Sequence, residues 1–188
     1  MVFDGWTIEN ILKAIALGGG VGAFLVGLWQ YRRSQQWKRA EWVAQEMKEL
    51  LGDPVVQAAL QMIDWGSRRV LLFPHRECFE DRFVEVTDDA VQRALIHHEV
   101  HGPFTDQEIA IRDAFDRLLD GFERLESYAA TGLVSDSDIY PYLSYWAVEI
   151  TRAKSGDPNA DRVVQLRQYM RDYGFLGADR LLCRLALK

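Results

Sequence analysis

The sequence predicts an all-helical protein in which an N-terminal transmembrane helix runs on into a cytoplasmic helical bundle. Three observations carry that prediction. The chain from Ala14 to Tyr31 holds eighteen consecutive uncharged residues. Apolar residues recur at three- and four-residue intervals through most of the chain beyond Tyr31, and strand signals are scarce. A composition of 48% hydrophobic and 27% charged residues, with no repeat and no low-complexity tract, is that of a packed chain rather than a disordered one. The expected segments are residues 1–31 for the N-terminal stretch and span, 32–52 for a basic collar and connecting helix, and 53–188 for an acidic bundle.

The uncharged run AIALGGGVGAFLVGLWQY contains five glycines and admits three readings. A cleaved signal peptide places its basic residues first, whereas here Asp4 and Glu9 precede the run and Arg32 and Arg33 come after it. A dinucleotide loop matches formally, since Gly18, Gly20 and Ala23 fit GxGxxA, but that fold needs a helix with a polar outer face after the loop. Phe24 to Trp29 is apolar all round. A membrane span fits better. Eighteen residues of helix cover about 27 Å, close to the hydrocarbon thickness. Trp6 and Trp29 would lie near the two interfaces, and Arg32, Arg33, Lys38 and Arg39 would mark the cytoplasmic side. The expected placement is the bacterial inner membrane, N-terminus outside.

The glycines suggest what the span touches. Gly19, Ala23 and Gly27 recur every four residues and Gly18 with Gly22 adds a GxxxG beside them, so one side of the helix permits close backbone approach. The expected partners are further copies of the chain and the lipid bilayer, with a cytoplasmic protein partner as the alternative. A lone anchor with incidental small residues is the plainer reading.

Charge is distributed unevenly. Residues 1–30 carry a net −1 and residues 31–48 a net +3, which leaves −8 of the total of −6 for residues 49–188. An acidic body disfavours nucleic-acid backbones. Cys78 and Cys183 form no CxxC, so a zinc site or disulfide framework is not expected. No cofactor is expected.

In the body, Trp37, Ala40, Ala44, Met47 and Leu51 keep helical spacing, and no glycine or proline interrupts the chain from Tyr31 to Leu51. One helix is therefore expected from about Asn10 to Leu51, closed by Gly52. Asp53 and Pro54 start a second, expected to reach Phe73 with Val56, Ala59, Leu60, Ile63 and Val70 inward. A loop comes next, with a short extended piece at 82–86. Thr87 or Asp88 caps a helix that ends at Gly102-Pro103, and Thr105 with Glu108 forms a capping box for the next. Its apolar seam is Ile111, Phe115, Leu118, Phe122, Leu125 and Ala129. Glu108 with Arg112, Asp113 with Arg117 and Asp120 with Arg124 read as solvated pairs on its outside. Further helices are expected over 138–154, 158–173 and 178–187. The aromatics of IYPYLSYW, Tyr140, Tyr142, Tyr145 and Trp146, read as core, with a partner-binding face as the alternative.

Two weak chemical signals lie in RALIHHEVHGP. His97 and His101, one helical turn apart with Glu99 between them, have a usable metal-ligand spacing but not HExxH. Glu99 or Asp106 could complete such a site, but an exposed helix end, where His101 can cap carbonyls, is the preferred reading. Arg93 and His98 form an R-x4-H pair like that of helical nucleases of the HEPN type, at a frequency near chance for this composition. No GxSxG, P-loop or Cys-His pair is present.

Over residues 31–150, at WKRAEWVAQEMKELLGDPVVQAALQMIDWGSRRV and IRDAFDRLLDGFERLESYAATGLVSDSDIYPYLSYW, the chain resembles a family of uncharacterised bacterial single-pass membrane proteins. That resemblance implies no active site. The plan of one span joined to a cytoplasmic helical domain also resembles the membrane accessory protein of type VI CRISPR systems, which implies an oligomeric pore in a defence setting. It shares no motif, and no residue role is carried over.

Overall fold

The computed structural model describes residues 8–152 and 160–188. Among them the elements run α1 (Ile8–Gly52), α2 (Pro54–Asp64), β1 (Arg68–Leu71), β2 (Phe83–Val86), α3 (Asp88–Ala94), α4 (His98–His101), α5 (Asp106–Ala130), α6 (Asp136–Thr151), α7 (Ala160–Asp172) and α8 (Leu176–Ala186). Helix dominates, as the spacing predicts. The chain divides into two compact units after Trp42, and the second, from Val43 to Lys188, is called the body below.

The body is organised by α5, which packs against α2, α3 and α8, while α6 packs on α8 and α7. The capping box forms: the Thr105 hydroxyl accepts from the Glu108 amide at 3.3 Å, and the Glu108 carboxylate accepts from the Thr105 amide at 2.9 Å. The seam from Ile111 to Leu125 is fully buried, joined by Ala114, Leu119 and Gly121, which makes the buried face wider than the expected stripe. Burial of each large member stabilises the body by roughly 1.5–3 kcal/mol. Ala129 is only half-buried.

Gly121 sits in the middle of α5 for a steric reason. A Cβ there would lie 2.3 Å from Leu50 Cδ1, so the missing side chain lets the end of α1 approach α5. Of the expected row, Met47 is buried and Leu51 half-buried, while Val43 and Leu50, which the row left out, are buried as well. Trp37, Ala40 and Ala44 are exposed: the buried face follows Val43, Met47 and Leu50 at 4-3 spacing, and Ala44 falls outside it.

Several expected helix boundaries are displaced. The helix α2 stops at Asp64, and Arg68–Leu71 becomes a strand paired antiparallel with β2, Arg68 opposite Val86 and Val70 opposite Val84. Gly66 weakens helix continuation, and the buried Arg162 of α7 takes the carbonyls of Ile63 at 3.2 Å and Trp65 at 2.7 Å, with Asp88 at 2.6 Å. Val70 is buried as expected, but from a strand. The helix begun at Thr87 ends at Ala94, because Arg112 Nη1 donates to the carbonyls of Ala94 and Ile96 at 2.7 and 3.1 Å. Finally, α6 starts at Asp136 and ends at Thr151, earlier than expected. Pro158, the expected start of α7, lies outside the described residues.

The charges on α5 reach across to other elements. Arg117 meets Asp53 at 2.7 Å and Arg124 meets Glu46 at 2.7 Å, while Glu108, expected outside, is buried and pairs with Arg93 at 3.0 Å. The Glu123 carboxylate accepts from the amides of Gly177 and Ala178 at 2.6 and 3.0 Å, capping the start of α8. At the other end of α8, Arg184 bridges the buried Glu126 of α5 at 2.7 Å and Asp136 of α6 at 3.0 Å. The aromatic strip of α6 is not core: Ile139, Leu143, Ala147 and Ile150 are buried, while Tyr142 and Tyr145 are exposed and Tyr145 donates to Asp64.

Gly121→Ala lowers the urea-unfolding free energy of the body by about 1–3 kcal/mol through overpacking against Leu50; an unchanged midpoint contradicts the close approach. The hydrogen bond from Arg184 holds Asp136 below its ordinary value of 3.8, outweighing the opposing effect of burial. With the folded value below the unfolded one, the contribution of Asp136 is complete above the unfolded value and is lost as pH falls through the folded one. The stability gap between the native chain and Asp136→Asn should therefore be widest at neutral pH and close under acid, read by urea unfolding at several pH values.

Candidate functional site

The first part of α1 is the most distinctive surface among the described residues. The helix forms because a continuous run of apolar residues without proline satisfies its own backbone, even though each glycine costs about 1 kcal/mol relative to alanine. Its large side chains are left uncovered: Leu17 is 72% exposed, Phe24 69% and Trp29 59%. Leu12, Ile15, Val21, Leu25 and Val26 are each more than half exposed as well. An apolar surface of this extent marks an interaction site.

The glycines of this run are not required by any contact among the described residues. A Cβ at Gly18, Gly19, Gly20, Gly22 or Gly27 would meet no described atom within 4 Å, in contrast to Gly121 and to Gly177, where it would lie 2.3 Å from Glu123 Oε2. At 3.6 residues per turn, Ala16, Gly20, Ala23 and Gly27 fall within an arc of about 60°. Leu17, Val21, Phe24 and Leu28 lie about a quarter turn away, and Gly18, Gly22, Leu25 and Trp29 lie on the opposite side. The four-residue rows named from the sequence include Ala23 and Gly27 but miss Ala16 and Gly20, which the alternating 4-3-4 spacing would have found.

At the end of this run the Arg33 guanidinium lies 5.3 Å from the Trp29 ring, and Arg32 and Arg33 are exposed. Trp6 lies outside the described residues. Among the described residues, no helix is long and apolar enough to cross a membrane.

The histidine segment is built as a structural junction. His97 is not inside a helix: it is the N-cap of the short α4, and its Nδ1 accepts from the Glu99 amide at 3.4 Å. His98 Nδ1 lies 2.8 Å from the Tyr173 hydroxyl, which also accepts from the His98 amide at 3.1 Å. The His97 ring stacks on Tyr173. Behind them the Arg112 guanidinium lies 4.6–5.0 Å from the rings of Phe104, Tyr173 and Tyr169. Tyr169 donates to Asp116 at 2.5 Å, and burial together with that bond raises the phenol far above its ordinary range. Burial likewise raises Asp116 against the opposing pull of Tyr169 and Arg112.

The expected candidates are thus taken up by structural partners. Arg93 is held by Glu108 and His98 by Tyr173, so the R-x4-H spacing brings the two to different partners. The side chain of His101 lies outside the described residues, and Glu99 Oε2 approaches His97 at 3.9 Å. Among the described residues no group of three His, Cys, Asp or Glu side chains could hold a metal ion. Cys78 and Cys183 are both free thiols.

Comparisons with protein-family models, with curated proteins and with solved structures find no match.

If the glycines of α1 serve no contact inside the chain, Gly20→Ala with Gly27→Ala leaves the unfolding free energy of the body within about 0.5 kcal/mol of the native value. A larger loss in urea unfolding would show that the body depends on them.

Proposed function

We propose that this chain is a single-pass protein of the bacterial inner membrane that assembles with copies of itself through the small-residue face of α1, its acidic body on the cytoplasmic side. One observation carries the reading: a helix coated with large exposed apolar side chains also bears glycines that meet no other atom among the described residues. In lipid, small residues let helix backbones approach and gain dispersion contacts. Lipid covers the remaining faces, which a single protein partner could not.

The modest hydropathy of α1 belongs to this reading. The apolar stretch Ile15–Leu28 is about 21 Å long as helix, short of the roughly 30 Å hydrocarbon core. Short spans are accommodated by bilayer thinning, by flanking side chains that reach the interface and by oligomerisation. Trp29, Arg32 and Arg33 are placed for the second, and the glycine face serves the third. In a ring, such helices pack tightly through their small residues and form or gate a pore, in the defence or stress setting that the type VI resemblance implies. A second reading, a tether for a cytoplasmic protein, is favoured by the exposed Tyr142 and Tyr145 of α6. Arg93 and His98 have structural partners, and neither reading uses them.

The test is mass measurement of the membrane-extracted chain in mild detergent. The native chain gives an oligomer and Ala23→Leu with Gly27→Leu gives a monomer, with leakage from reconstituted vesicles lost in parallel. A native monomer, or a chain recovered wholly in the soluble fraction, overturns the proposal. An oligomer that leaks nothing and retains one stoichiometric partner supports the tether.

A further inference from the structure

The body carries an open groove of about 750 Å³, a volume within the range of small-molecule sites. Its floor is the start of α2, with Asp53, Pro54 and Val55, and one wall is the segment Leu72–Arg76 that comes after β1. The other wall is one stripe of α5: Asp106, Ile109, Ala110, Asp113 and Arg117. The lining is mostly apolar, and Ile109 is 46% exposed within it.

The charges facing the groove are not equally available. Arg117 is paired with Asp53 at 2.7 Å. Arg76 lies 3.8 Å from the Phe73 ring and donates to the Asp81 carbonyl at 3.4 Å. His75 is exposed at the rim. Asp106 and Asp113 remain, with no ion-pair partner among the described residues. Seven residues apart on one helix, they lie on the same side of α5, about 10 Å from each other along its axis, with Ile109 and Ala110 between them.

That spacing selects a ligand chemistry. An anion would meet two uncompensated carboxylates, and a neutral apolar molecule would reduce their hydration and give no partner in return. A molecule with a positive charge at each end and methylenes between them satisfies both ends and covers the apolar strip. We propose that this groove binds a linear aliphatic polyamine, its terminal ammonium groups on Asp106 and Asp113 and its methylene chain over Ile109, Val55 and Leu72. The net −8 of residues 49–188 draws such a cation toward the body from a distance. The site lies wholly within the body and does not depend on membrane insertion or self-assembly.

The test is calorimetric titration of the purified full chain with 1,7-diaminoheptane, alongside the uncharged heptane-1,7-diol. Saturable binding of the diamine and none of the diol is expected, weakening as salt is raised. Asp106→Asn with Asp113→Asn should weaken it tenfold or more, as should Ile109→Arg, a change at an exposed position that keeps both carboxylates. Asp120→Asn with Glu149→Gln, which removes the same charge elsewhere, should leave it within twofold. Absence of binding overturns the proposal, and so does equal weakening by the two charge-matched pairs, which would show attraction to an acidic surface rather than a site.

Discussion

The water-exposed apolar side chains of α1 set the terms for the rest of the molecule. Leu12, Ile15, Leu17, Val21, Phe24, Leu25, Val26 and Trp29 are each more than half exposed. Removing such side chains from water is worth about 1.5–3 kcal/mol apiece, so together they represent on the order of 10 kcal/mol. That equals the whole net stability of an ordinary domain, about 5–15 kcal/mol. No described residue of their own unit covers them, and the core of the body is closed by α5, α6 and α8. In the function proposed above, lipid and neighbouring helices recover this energy, and the glycines, costly in an isolated helix, suit the second of these.

The body solves a different problem, which is to join short helices without long loops. It does so with arginine. Arg162 gathers the end of α2 and the start of α3, Arg112 ends α3 and fills a cage of three aromatic rings, and Arg184 ties α5 to α6 through α8. A planar guanidinium presents five donors in a fixed fork and so can satisfy several carbonyls or carboxylates at once, in a geometry that a lysine ammonium, with three donors on one atom, does not offer. The pair of Glu126 and Arg184 raises the arginine further above its ordinary range, so it stays charged at every accessible pH. Polar side chains here fix which helices meet, and the apolar seam of α5 supplies most of the driving force.

Much of this plan was legible in the residues. The long helix through Tyr31, the Asp53-Pro54 start of α2, the capping box at Thr105 and the seam from Ile111 to Leu125 are local signals, and each appears in the structure. What escaped depends on partners distant in the chain. Val70 looks equally inward on a helix or a strand until β2 is known to lie beside it. The break at Leu95 is set by Arg112, on a different helix. Arg117 and Arg124 have acidic residues four positions before them, yet they reach Asp53 and Glu46 because tertiary packing sets those partners closer. The aromatic run in α6 resembled core by composition, but helical phase puts Leu143 inside and Tyr142 and Tyr145 outside. The groove beside Asp106 had no signal in sequence, since its walls come from three separate segments.

Self-assembly through α1 requires one face of that helix to meet its neighbour, and cysteine crosslinking in intact membranes reads that geometry directly. In a background with Cys78 and Cys183 replaced by serine and alanine, single cysteines are introduced at each position from Leu17 to Leu28. Strong crosslinked dimer at Gly20, Ala23 and Gly27, with little at Gly18, Gly22 and Leu25 on the opposite side, is the predicted result. Crosslinking that is absent, or that shows no helical period along the segment, would contradict a shared small-residue face.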